Sequence, residues 1–114
     1  MDMSREELIL CASNAYNKKF YLNEKFNGLP EAIKEELQIM CVLYTEDVGG
    51  VLELVFDEDA NLEFRTSYEE NDFFYDEIGS VLKIKQYQNA KRELLEALET
   101  YYRIVFLGEG LEEE

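Results

Sequence analysis

The chain predicts an α+β fold: an antiparallel sheet of about four strands, a buried central helix and one or two C-terminal helices over one sheet face. Three observations carry this reading. Apolar residues recur at helical period from Ile33 to Val48, between Pro30 and Gly49-Gly50. Two short apolar runs, Val51 to Phe56 and Leu62 to Tyr68, flank a polar turn, as a hairpin requires. A long helical pattern then occupies residues 74–105.

At the N-terminus, Ser4-x-x-Glu7 has the form of a capping box, but Leu8-Ile-Leu-Cys-Ala12 is contiguous rather than helically spaced. The reading is strand, polar loop (Ser13 to Lys19) and second strand (Phe20 to Leu22), with a short helix as the alternative. Asn27-Gly28-Leu29-Pro30 then opens the central helix, with Pro30 at the first helical position, where its missing N–H costs nothing. Ile33, Leu37, Met40, Cys41, Tyr44 and Val48 form its stripe. Ile39, Val42 and Leu43 widen the stripe almost all round, so the helix is expected to end deep in the core. Gly49-Gly50 supplies the left-handed conformation that ends it.

In the second hairpin Leu62, Phe64 and Tyr68 alternate with Glu63, Arg65 and Ser67, which implies one buried face. Asp57-Glu-Asp-Ala-Asn61 is its turn. Tyr68 to Asp72 reads as an acidic loop, with Asn71 or Asp72 capping the next helix. Apolar positions continue at Phe74, Ile78, Val81, Leu82, Tyr87, Leu94, Leu98, Tyr101, Tyr102 and Val105. Their phase drifts near residues 84–89, so one bent helix or two consecutive ones are expected, with Glu93, Glu96 and Glu99 on a solvated face and Gly108 as the stop. At 114 residues the chain fits one domain, residues 1–107, with 108–114 a flexible acidic tail.

Charge is unevenly placed. The chain carries −15, of which −11 falls between Glu46 and Glu77: twelve acidic residues against Arg65 alone. Clustered Lys and Arg, which phosphate neutralisation requires, are missing, so nucleic acid and anionic membranes are disfavoured as partners. The one modest basic group is Lys83, Lys85, Lys91 and Arg92. Nothing resembles a secretory signal or a membrane span, which makes the cytoplasm the expected compartment. Cys11 and Cys41 sit in apolar runs and read as buried free thiols.

The sequence contains no histidine, no Cys-x-x-Cys and no glycine-rich phosphate loop. No cofactor, metal or catalytic residue is expected, and the protein reads as a non-enzyme. Asp57-x-Asp59-x-Asn61 matches the first three ligands of a calcium loop, but Leu62 stands where the sharp turn needs Gly and Tyr68 where a bidentate Glu belongs. A solvated turn is the expectation there. Adjacent carboxylates at Glu69-Glu70 and Asp76-Glu77 lack the burial that would separate their pKa values for acid–base work.

Three functional classes remain. The first is a non-catalytic interaction or regulatory module that meets a basic protein partner through Asp57, Glu58, Asp59, Glu69, Glu70 and Asp72, with Phe73 and Phe74 as an aromatic anchor. Against the anchor stands a core reading, in which Phe73-Phe74-Tyr75 seals the sheet against the next helix. The second class, a nucleic-acid mimic or toxin-neutralising protein, needs carboxylates spaced like phosphates on one face. The third, a small-ligand binder or enzyme, needs a pocket holding a buried carboxylate or lysine. Against all three stands the reading that the acidic band serves solubility alone. A homodimer would form if the uncovered sheet face is apolar, and the C-terminal helix, apolar on more than one side, offers a second dimer surface.

The runs Leu29 to Gly50, Phe56 to Phe64 and Asp76 to Lys85, with the helical residues as far as Tyr102, resemble a family of small bacterial proteins of unknown function. The resemblance covers most of the chain. It implies a single-domain bacterial cytoplasmic protein and assigns no activity, cofactor or site.

Overall fold

The computed structural model describes residues 6–110, so the Ser4 end of the capping box and residues 111–114 of the tail lie outside the described residues. The strands are β1 (Leu8–Asn14), β2 (Lys19–Leu22), β3 (Val51–Phe56) and β4 (Leu62–Ser67); the helices are α1 (Glu31–Val48), α2 (Glu77–Ala90) and α3 (Arg92–Tyr101). The four strands form one antiparallel sheet in the order β2-β1-β3-β4. This is the α+β fold the sequence predicts, with a hairpin rather than a helix at the N-terminus.

The contiguous run in β1 has a physical explanation. Its register against β3 shifts between Ile9 and Cys11. That bulge turns Leu10 and Cys11 both inward, and both are fully buried, where plain alternation would expose one of them. Beyond the bulge the pleat is regular. The rows Leu22–Cys11–Leu54–Phe64 and Phe20–Ser13–Leu52–Thr66 face α1, and Tyr21–Ala12–Glu53–Arg65 faces away.

The outer sheet face is mixed: Ile9, Ala12, Tyr21 and the buried Val55 share it with Glu53, Glu63 and Arg65. Arg65 forms a bidentate pair with Glu7 at 2.7–2.8 Å and also bonds Glu63, which holds the Glu7 carboxyl below its ordinary pKa.

α1 lies on the inner face. Leu37, Met40, Cys41, Tyr44 and Val48 are buried, as the stripe predicts. Pro30 stands one position earlier than expected, as the N-cap in an extended conformation. Gly49 at φ 92° ends the helix. Ile39 and Leu43 do not enter the core: they are 59% and 46% exposed, because α1 is covered by the sheet and by α2 but not on its remaining side. Cys11 and Cys41 are free thiols with Sγ atoms 3.9 Å apart; the Cys41 hydrogen bond and burial push the Cys11 pKa up.

The second core element is aromatic. Phe26, in a 3-10 turn (Glu24–Phe26), stacks on Phe56 at 5.7 Å and on Phe106 at 4.6 Å. Tyr102 lies parallel to Phe56 at 4.1 Å and 3°. A π turn (Tyr102–Phe106) closes α3 and brings Tyr102 and Phe106 against the same group of rings. The C-terminal pattern thus resolves into two helices. Glu99 leaves the solvated face assigned to it: its carboxylate accepts from the Leu62 N–H at 2.7 Å and ties α3 to the start of β4.

Candidate surface at the end of the sheet

β3 and β4 place the acidic residues. Each strand is six residues long, so the two ends of the hairpin stand about 20 Å apart. Asp57, Glu58 and Asp59 occupy the turn at one end, whereas Glu69, Glu70, Asp72, Phe73 and Phe74 follow β4 at the other. The six acidic residues singled out in the sequence are therefore divided between two poles, with Glu53 and Glu63 on the strands between them.

At the turn, Asp57 serves the backbone. Its Oδ1 accepts from the Asp59 N–H at 2.8 Å and the Asn61 N–H at 2.9 Å. These bonds, the Asn61 one first, lower the Asp57 pKa. Ala60 adopts φ 69° and is buried, so the turn is closed by its own backbone. Among the described residues no three His, Cys, Asp or Glu side chains converge as metal ligands.

The other pole is a constructed loop. Tyr16, from the β1–β2 turn, donates its hydroxyl to Asp72 Oδ2 at 2.6 Å and accepts the Glu69 N–H at 2.9 Å. Asp72 Oδ1 accepts the Phe74 N–H at 2.9 Å. The Tyr16 hydroxyl, then the Phe74 N–H, hold the Asp72 carboxyl below its ordinary pKa. Asp72 does not cap α2; Asp76 does, accepting the Gly79 N–H at 2.9 Å.

Tyr75 then anchors the loop inward. Its ring stacks on Tyr68 at 4.2 Å, and its hydroxyl lies 3.3 Å from that of Tyr44. Tyr44 is fully buried and also bonds Ser80 Oγ at 2.5 Å, tying α1 to α2. The Tyr75 ring lies over Gly50, whose φ of 69° and lack of Cβ permit that approach.

With Tyr75 held inside, the two residues before it point out. Phe73 is 89% and Phe74 95% exposed. The core reading of the aromatic triplet is thus corrected: Tyr75 alone makes that seal, because it alone has both a stacking partner and a buried hydroxyl partner. Glu69 and Glu70 are exposed beside the two phenylalanines. Tyr68, expected on the buried strand face, is 44% exposed just beyond β4, its hydroxyl donating to Glu77. Of the eight residues singled out in the sequence, five share this pole and three do not. The residue that sequence reasoning missed is Tyr16, which sits in a polar stretch without periodicity.

Concave sites are open. A cleft of about 560 Å³ lies between the β1–β2 turn and α1, lined by Ser13, Asn14, Lys18, Lys19, Gln38 and Glu46 among others. Its lysines and Glu46 are exposed, and its buried polar groups, the Ser13 and Thr45 hydroxyls, bond each other at 2.8 Å. The buried carboxylate or lysine that a small-ligand or catalytic pocket calls for is not among its lining residues.

Among the described residues no helix is long and apolar enough to cross a membrane. No curated protein and no solved structure matches the chain. The sequence profile of DUF6145 matches residues 7–110, and the chain belongs to that family, a family of unknown function.

Proposed function

We propose that the protein is a non-catalytic protein-interaction module whose contact surface is the loop after β4: Phe73 and Phe74 as anchors, with Glu69 and Glu70 beside them. The observation that carries this reading is the near-complete exposure of two adjacent phenylalanines on a loop pinned at both ends. Exposed large apolar groups are unfavourable in water, and an aromatic pair on a preorganised loop offers a partner contact area at little ordering cost. The neighbouring carboxylates select a partner with a basic surface and speed its approach.

The two poles make the proposal testable. Glu69→Gln with Glu70→Gln is expected to weaken capture of a protein partner from lysate, increasingly so at low ionic strength. Glu58→Gln with Asp59→Asn, at the far end of the hairpin, is expected to leave it unchanged. Equal loss from both pairs would mean that net charge, not this loop, attracts the partner.

A further inference from the structure

α2 is apolar on two opposite sides. Toward α1 it presents Ser80, Ile84 and Tyr87; Lys83 reaches Asp47 at 2.9 Å, and Lys91, just past its C-terminal end, reaches Glu36 at 3.0 Å. Ile78, Val81 and Leu82 lie on the far side and are 77%, 56% and 62% exposed. A helix with apolar residues on two opposed faces belongs between two layers, and the fold supplies only one of them.

We infer that the outer face of α2 is a homodimer surface, covered by α2 of a second copy packed antiparallel about a two-fold axis at Val81. The charges around the face favour a second copy as the occupant. Glu77, Val81 and Lys85 are spaced four apart and form one ridge, with Ile78 and Leu82 on the next. Glu77 and Lys85 are both exposed and stand at equal distances, about 6 Å of helix, either side of Val81. A two-fold axis there puts Glu77 of each copy beside Lys85 of the other, so the face is complementary to itself. Lys85 makes no ion pair among the described residues, unlike Lys83 and Lys91. The opposite, parallel arrangement sets Glu77 against Glu77 and Lys85 against Lys85.

The inference rests on α2 and goes beyond the loop proposal, and its salt dependence runs the other way. Two chains of −15 repel at long range, so added salt strengthens the dimer, whereas it weakens a complex with a basic partner. Sedimentation velocity of the full chain is the test, in about 50 and about 500 mM NaCl. The expected particle has twice the 13.4 kDa mass of one chain, with dimerisation tighter at high salt. Val81→Glu, which sets two carboxylates at the axis, and Lys85→Glu, which faces Glu77, are each expected to weaken the dimer by roughly tenfold or more. Adding Glu77→Lys to Lys85→Glu reverses both charges and is expected to restore it, a rescue that a general folding defect would not give. A 13.4 kDa monomer throughout, or a dimer indifferent to these substitutions, overturns the inference and leaves partner capture by the Phe73–Phe74 loop unaffected.

Discussion

The Tyr16 hydroxyl and the Asp72 carboxylate, 56 positions apart in sequence, meet at 2.6 Å. That bond joins the β1–β2 turn to the loop that carries Phe73 and Phe74, and Tyr16 accepts the Glu69 N–H from the same loop. The exposed aromatic pair is thus held by a bond at its base, not displayed on a loose segment.

Tyr16→Phe is expected to free the loop. Because the bonds lower the Asp72 pKa in the folded state, they add stability above the unfolded carboxylate value near 3.9 and lose it as pH falls through the folded value. The melting temperatures of the parent and of Tyr16→Phe should therefore differ most at neutral pH, and the difference should narrow in acid below about pH 4 to the part left by the lost Glu69 N–H bond. Amide exchange at Glu69 and Phe74 should quicken in the variant.

The pair Tyr44 and Ser80 fixes α2 to α1 through two buried hydroxyls. Tyr44→Phe leaves Ser80 without its partner and is expected to cost about 1–3 kcal/mol. Adding Ser80→Ala removes the orphaned group, so the double variant should be more stable than the sum of the singles by roughly 1 kcal/mol in denaturant unfolding.

Gly50 is expected to tolerate no side chain. A Cβ there would stand 2.6 Å from the Ser67 carbonyl oxygen and 2.8 Å from the Tyr75 ring, at a φ of 69°. Gly50→Ala should destabilise by roughly 2–4 kcal/mol, through both backbone strain and displacement of Tyr75. Chemical unfolding checks the cost, and faster exchange at the amides of residues 72–76 checks the displacement.

Much of this fold is legible in the sequence where a single face is buried. The period of Leu37, Met40, Cys41, Tyr44 and Val48 identifies α1, and the glycines after it mark its end. Legibility fails where apolar residues have two destinations. Phe74, Ile78, Val81 and Leu82 keep helical spacing with Tyr87, yet they face solvent while Tyr87 packs on the core, because periodicity shows that a face exists and not what covers it. Charge density along the chain likewise hides its division: six residues of strand carry Asp57 and Asp72 to opposite ends of the hairpin. The Tyr16 clamp rests on one long-range bond from a polar turn, a contact that leaves no local pattern.

The most direct measurement of the central claim combines stability and capture in one variant, Phe73→Ser with Phe74→Ser. Two side chains 89% and 95% exposed contribute almost nothing to folding, so unfolding should shift by no more than about 0.5 kcal/mol per site while the protein partner is no longer captured. Loss of several kcal/mol, as for buried phenylalanines, or undiminished capture by the folded variant, would contradict the account.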